Sequence, residues 1–203
     1  MRRIFIGVFL LLLIVGVAAC ATATPLPDLK PPVVSLNRVE VARYFPYPAL
    51  PPTPTPPPNP LTMPNVPLAL AYVFDVTNPN PYSVTLTSLK FTADFEAAPN
   101  EYFALDTPIS ADATSIPAGA TNPVRVVVIF DTFSVSRSLG VTGGARLAAL
   151  NLKSDDLIRK WWTAPGNASA AGIGYTLRAS QGTAEFKSDK GSTVVTFEGK
   201  FPK

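Results

Sequence analysis

The sequence predicts a mainly β protein whose antiparallel strands form a sandwich or a barrel. Several short runs alternate apolar and polar residues with a period of two, which is the pattern of strands with one buried face. Residues that favour turns separate these runs. Of the 23 prolines, 15 lie between Pro25 and Pro67, which separates a proline-rich region from an ordinary globular one. A chain of 203 residues is long enough for one domain with appendages.

The composition excludes several kinds of functional site. The chain has no histidine and one cysteine, so Ser-His-Asp, Cys-His and His-zinc sites are excluded, as are intrachain disulfides. We therefore expect no metal and no other cofactor. Without Arg2 and Arg3, 15 basic residues face 14 acidic ones, a balance of +1. Because no concentrated basic face is visible, we expect no nucleic-acid partner.

Residues 1–19 are predicted to be a signal peptide. Arg2 and Arg3 form a positive start, and residues 4–17 are an uncharged apolar run. Small residues end the run at Ala18 and Ala19, directly before Cys20. This order is typical of a secretory signal.

The four residues Val17-Ala18-Ala19-Cys20 resemble the lipobox of bacterial lipoproteins. The resemblance implies cleavage between Ala19 and Cys20 and a lipid, with acyl chains such as palmitate, on Cys20. It also implies an envelope location, anchored to a membrane, with the domain outside the cytoplasm. Two alternatives remain: residues 4–21 are an uncleaved span of 18 residues, barely enough for a bilayer, or the protein is secreted and Cys20 is coincidental.

Residues 20–32 are predicted to be a tether between Cys20 and the domain. Four prolines, the last two at Pro31 and Pro32, favour an extended and unpaired backbone. At about 3.1 Å per residue, the twelve residues after Cys20 reach about 37 Å. That length is enough to hold a domain off a lipid surface.

The domain is predicted to begin with a strand over residues 33–41. Val34 and Leu36 share one parity but Val39 has the other, which predicts a bulge near Asn37-Arg38.

A second proline-rich stretch follows and is predicted to be a loop over residues 42–67. We interpret it as a surface loop or linker; the alternative is a ligand for an aromatic-lined groove.

Period-two alternation predicts the remaining strands. They are expected at residues 68–76, 84–95, 124–130, 173–179 and 195–201, with a weaker one around 102–105. One stretch departs from this pattern, because five apolar residues recur at helical spacing: Leu147, Leu150, Leu157, Ile158 and Trp161. They predict one helix, or two short helices meeting near Ser154, within residues 144–163 and packed on an end of the sandwich.

Two predicted turns carry a family resemblance. Asn78-Pro79-Asn80 follows an apolar strand, and Ile116-Pro117-Ala118-Gly119 precedes a valine-rich one. Asn and Pro are turn formers for distinct steric reasons, but the order of strands around the two turns is more specific than either turn alone. This order resembles the late embryogenesis abundant type-2 family, which contains the water-stress and hypersensitive-response (WHy) domain.

The resemblance implies an immunoglobulin-like or fibronectin-III-like β-sandwich over residues 33–203, with a short helix. It also implies a role in stress or desiccation, in which the protein protects other macromolecules. The chain departs from the family in its long loop and in its enlarged helical segment.

Few residues suggest reaction chemistry. Asp155 and Asp156 suit the first turn of a helix capped by Ser154, where negative charge is favourable. Trp161 and Trp162 are interpreted as core residues, with a membrane contact or a stacking platform as the alternative. We therefore expect no enzyme.

The function predicted from these features is that of a non-catalytic, lipid-anchored envelope protein that protects or binds other molecules. The membrane is its expected partner, through the lipid on Cys20. The alternative is a structural or assembly component of an envelope complex. In that case, the sandwich edge or the helix with Trp161 and Trp162 docks an unidentified envelope protein.

Overall fold

A computed structural model describes residues 28–45, 65–167 and 173–202. Two antiparallel sheets pack against each other in these residues, and short helices cover one end. The predicted mainly β class and the two-sheet sandwich are confirmed. The signal segment and Cys20 lie outside the described residues.

The elements follow one another in this order. They are β1 (Val33–Tyr44), β2 (Pro67–Thr77), β3 (Val84–Ala98), β4 (Glu101–Asp106), β5 (Ile109–Ser110), β6 (Thr114–Ile116), β7 (Thr121–Asp131), α1 (Thr132–Thr142), α2 (Gly144–Ala149), α3 (Ser154–Thr163), a 3₁₀ turn (Ala164–Asn167), β8 (Leu177–Ser188) and β9 (Gly191–Phe201). The smaller sheet has the order β1-β2-β7, and the larger has the order β4-β3-β8-β9, with β5 and β6 also paired to β3.

The first strand belongs to the sandwich. It pairs along its length with β2, from Val33 opposite Thr77 to Tyr44 opposite Leu68. The register shifts between Leu36 and Arg38, which confirms the predicted bulge. Because Tyr44 and Pro67 are paired in the sheet, the connection covers residues 45–66, and the predicted range of 42–67 was too long.

One side of the sandwich closes where β1 meets β9. A Cβ atom on Gly199 would lie 2.5 Å from the Cβ atom of Leu36. Real atoms do not approach so closely, so the close approach of the two sheets requires a residue without a side chain at this position.

The strand predicted at residues 173–179 is β8, which begins at Leu177 and runs to Ser188, so the predicted range covers only its first three residues. Gly174 has a φ of 86°, in the left-handed region, which interrupts an extended chain. Ile173 and Tyr175 are nevertheless buried. Their alternation reflects packing within the core rather than a strand.

Two helices lie in the predicted range, but a third was missed. In α1, Asp131 caps the first turn by accepting from the backbone N–H of Ser134 at 2.8 Å. The buried residues Thr132, Val135 and Leu139 form its inner stripe. The helix could not be predicted from the sequence because its serines, threonines and valines have modest helix propensity.

The predicted cap of α3 was wrong. Ser154 is the first helical residue, and the N-cap is Lys153, whose side chain makes no capping hydrogen bond. A capping side chain needs the extended backbone that Lys153 has, and Ser154 is already helical. Asp155 and Asp156 do lie in the first turn, as predicted.

Both tryptophans are core residues, which confirms the first interpretation. Neither side chain has exposed surface. The Trp161 indole N–H donates to the carbonyl oxygen of Glu96 at 2.9 Å, and that of Trp162 donates to the carbonyl oxygen of Val66 at 2.8 Å. A stacking platform, a membrane contact or a docking surface made by these rings is therefore wrong.

Glu96 links the helical end to the larger sheet through both its backbone and its carboxylate. The carboxylate accepts from the backbone N–H groups of Asn100 at 3.2 Å and Thr176 at 3.3 Å. Burial alone would raise the pKa of Glu96, but the hydrogen bonds from Thr176 and Asn100 outweigh it and lower the pKa. The charged form is the one that this junction holds.

Two buried tyrosines differ in whether the hydroxyl group has a hydrogen-bond partner. The hydroxyl of Tyr72 is fully buried and has no hydrogen-bond partner among the described residues, and burial raises the pKa of this group well above 10.0. The hydroxyl of Tyr175 donates to the carbonyl oxygen of Trp161 at 3.2 Å. That carbonyl has no helical partner because residue 165, four positions on, is a proline.

We expect Tyr72→Phe to stabilise the protein and Tyr175→Phe to destabilise it. Removing an unpaired buried hydroxyl is favourable by about 1 kcal/mol, and removing a bonded one costs about 1 kcal/mol. Thermal unfolding measures both, with shifts of about 3 °C in opposite directions. Equal losses of stability in the two variants would contradict this assignment of the Tyr72 hydroxyl.

Candidate functional site

The two turns that carry the sequence motifs meet at one end of the sandwich. Thr77 pairs with Thr121 in the smaller sheet, and Val84 pairs with Ile116 in the larger one. These pairings place the β2–β3 turn beside the β6–β7 turn. We call residues 78–80 and 116–120, with Lys30, the turn cluster.

Backbone hydrogen bonds join the two turns directly. The N–H of Asn78 donates to the carbonyl oxygen of Ala120 at 2.9 Å. The N–H of Gly119 donates to the carbonyl oxygen of Asn80 at 3.1 Å. Gly119 has a φ of 65°, a conformation that favours glycine, so the last motif position has a backbone reason for its residue type.

The side chain of Asn78 is the centre of the turn cluster. It is fully buried, and its amide nitrogen donates to the carbonyl oxygens of Tyr82 at 2.7 Å, Ile116 at 3.1 Å and Pro117 at 3.0 Å. Its own oxygen accepts from the backbone N–H and the side-chain amide of Asn80, at 3.0 and 2.9 Å. Every polar atom of this side chain is therefore paired, as burial requires.

Asn80 extends the cluster to the segment before β1. Its side-chain oxygen accepts from the backbone N–H of Lys30 at 2.8 Å, and its side-chain nitrogen donates to the carbonyl oxygen of Lys30 at 2.9 Å. A primary amide offers one acceptor and one donor side by side, so it pairs with Lys30 as a neighbouring strand would. Leu29 also packs against the core.

This contact corrects the predicted tether. Residues 20–32 were expected to be unpaired, but Lys30 is held by Asn80 and Leu29 is partly buried. Prolines at positions 31 and 32 lack N–H groups, whereas Lys30 keeps both of its backbone polar groups for pairing. The fixed part of the chain therefore starts before β1.

The motif residues divide by exposure. Asn78, Asn80 and Ile116 are buried, and Pro79 and residues 117–119 are exposed. The exposed part is small and apolar and carries no acid, base or nucleophile. The two motif turns can therefore hold chain segments together and offer surface, and the charged side chain of the turn cluster is that of Lys30.

A charged cluster that the sequence reading did not identify lies on the larger sheet. The carboxylate of Asp94, almost completely buried, binds the Arg178 guanidinium at 2.7 Å. The same guanidinium lies 4.5 Å from the ring centre of Tyr102, and the Lys200 ammonium lies 5.5 Å from that ring. Arg178 stands between Asp94 and Lys200 in the register, so this is a row of neighbours across three strands.

A groove of about 570 Å³ lies on β8 and β9. Its lining residues are Gln181, Gly182, Thr183, Thr196, Phe197 and Glu198. Gln181 has a φ of 51° and lies where the register between β8 and β9 shifts, so a bulge shapes this surface.

Two kinds of feature are absent from the described residues. They contain no group of three or more His, Cys, Asp or Glu residues that could hold a metal ion. In the same part of the chain, no helix is long and apolar enough to cross a bilayer.

The structure is thus a two-sheet β-sandwich with a helical end and, at the opposite end, a buried amide network. No protein-family model matches the chain, and no curated protein matches it. Among solved structures, it is similar to the crystal structure of a protein from Archaeoglobus fulgidus, with a TM-score of 0.39 and 6% sequence identity. That similarity covers 87% of this chain and 98% of the other.

We expect Asn78→Ala to destabilise the protein by about 3 kcal/mol, because it leaves several buried carbonyl and N–H groups unpaired. Chemical denaturation measures the change. Asn122→Ala is the matched control, since the Asn122 amide makes one exposed contact of 3.4 Å with the carbonyl oxygen of Ser115. Its expected cost is below about 0.5 kcal/mol. Equal losses in the two variants would refute a central role for Asn78.

Proposed function

We propose that the protein is a non-catalytic, lipid-anchored protein of the cell envelope, whose sandwich is a late embryogenesis abundant type-2-like domain of the WHy kind. In this proposal the domain protects or binds other macromolecules outside the cytoplasm, during water stress above all. The main support for this proposal is the hydrogen bonding of the Asn78 side chain. These hydrogen bonds join the two motif turns, and the family resemblance depends on those turns.

The position of the motif residues supports the resemblance. Ile116 lies 38 residues after Asn78 in the chain, yet its carbonyl oxygen accepts from the Asn78 amide. A coincidental pair of turn sequences has no reason to meet in this way. The immunoglobulin-like or fibronectin-III-like subtype belongs to the same proposal and is supported by the three-stranded sheet that faces the larger one.

The polar faces of the strands suit a protective role. Thr196, Glu198 and Lys200 are exposed on β9, and Lys90 is exposed on β3. Such surfaces keep a protein hydrated and soluble and interact weakly with many partners. The envelope anchor rests on the lipobox-like residues that end at Cys20.

A structural or assembly role is the second candidate, and one observation favours it. β7 is an edge strand of the smaller sheet and carries two exposed apolar residues, Val127 and Ile129, which are 45% and 68% exposed. An edge strand with exposed apolar residues is a place where another chain can add a strand. In this candidate role, β7 replaces the buried tryptophans as the docking surface.

We expect Cys20→Ala to abolish incorporation of labelled palmitate and to move the protein out of the membrane fraction. The reason is that, in this proposal, the lipid is attached to the sulfur atom of Cys20. Thr22→Ala, two residues on, is the matched control and should leave both readouts unchanged. Membrane retention of Cys20→Ala at the unmodified level would overturn the anchor.

The protective and assembly roles are separated by Ile129→Lys, with Val194→Lys as the control because Val194 is 62% exposed on β9. Under the protective role, the protein preserves a labile enzyme during drying better than albumin at equal mass, and Ile129→Lys keeps this effect. Under the assembly role, a co-purifying envelope protein is lost with Ile129→Lys and retained with Val194→Lys. Protection no better than that of albumin would count against the first role.

A further inference from the structure

The sandwich has two different ends, and the chain enters at one of them. The β2–β3, β6–β7 and β8–β9 turns lie at the end where Asn80 holds Lys30. We call it the turn end. The helices α1, α2 and α3 lie at the opposite end, which we call the helical end.

The direction of β1 decides where the preceding chain leaves the domain. β1 starts at Val33, opposite Thr77 at the turn end, and runs towards the helical end. Lys30 lies three residues before this start and is fixed beside Asn80. The first described residues of the chain therefore lie at the turn end, where Lys30 is fixed.

The length of the chain before Lys30 is short compared with the domain. Lys30 lies ten positions after Cys20, a distance that an extended, proline-rich chain spans with about 31 Å. A strand of 11 residues such as β2 is about 36 Å long. The helices add a layer of about 10 Å beyond the strand ends. With the helical end on the bilayer, Lys30 would be farther from the surface than the chain can reach.

We propose that the turn end is the membrane-facing surface of the protein and that the bilayer carrying the anchor is its partner. This inference rests on the proposed lipid on Cys20. The exposed lysines at this end, Lys30, Lys187 and Lys190, are suited to lipid phosphates, and Asp28 and Asp189 moderate that attraction. The helical end is then held away from the membrane.

Energy transfer to the membrane tests this orientation. A fluorescent amino acid is placed at Lys190, in the β8–β9 turn, or at Val141, which is 86% exposed in α1. The full chain, purified with its lipid, is inserted into vesicles of phosphatidylethanolamine and phosphatidylglycerol that carry an acceptor on the headgroups. Transfer should be higher at position 190 than at position 141, because the two ends differ in height by about 36 Å.

A longer tether supplies the matched variant. A flexible insert of about 12 Gly and Ser residues between positions 27 and 28 leaves the folded residues unchanged but lets the domain tumble, so the difference between the two positions should be lost. A difference that persists with the insert would overturn the short tether as its cause. Equal transfer at the two positions of the unmodified tether, or higher transfer at position 141, would overturn the orientation.

The same samples separate this inference from the proposed function. Palmitate labelling shows whether Cys20 carries lipid. A sample without lipid and without transfer at either position overturns both the anchor and the orientation. A lipid-bearing sample with equal or reversed transfer overturns the orientation alone.

Discussion

The buried amide of Asn78 is the interaction on which one whole end of the fold depends. Where strands end, their backbone N–H and C=O groups lose their partners, and burial makes each unpaired group costly. Asn78 meets this constraint for two turns at once by donating to the carbonyl oxygens of Ile116 and Pro117 and accepting from Asn80. The turn geometry, and with it the junction of the two sheets at this end, follows from one side chain.

The helical end is stabilised mainly by the packing of aromatic side chains. There the packing is aromatic, with the Trp161 ring 5.4 Å from that of Phe95, and each indole N–H pairs with a backbone carbonyl. Most of the contact at this end is apolar burial, which is non-directional, whereas the contacts of the amide network are directional hydrogen bonds between individual atoms. The end with strict geometry is also the end where the N-terminal segment is fixed.

The sequence predicts most of this fold because period-two alternation is a local signal. The long strands and the bulge after Leu36 can be predicted in this way, but the short β5 and β6 were not predicted, and most of β8 lies beyond its predicted range. The helix α1 could not, since tertiary packing of Val135 and Leu139 overrides its modest propensity. The motif turns were identified, but the partner of Asn80 was not, because Lys30 lies 50 residues away. The Asp94–Arg178 pair was missed for the same reason: only the register across the sheet brings the two residues together.

The pairing of Tyr44 with Leu68 has a consequence for the connection between β1 and β2. Residues 45–66 begin and end on adjacent strands, so their two ends are held at the spacing of a sheet whatever their number. Closing such a loop costs only about 0.6 kcal/mol more for each doubling of its length. The length of this segment is therefore only weakly coupled to folding, and insertions or deletions within it should leave the register of the sandwich unchanged.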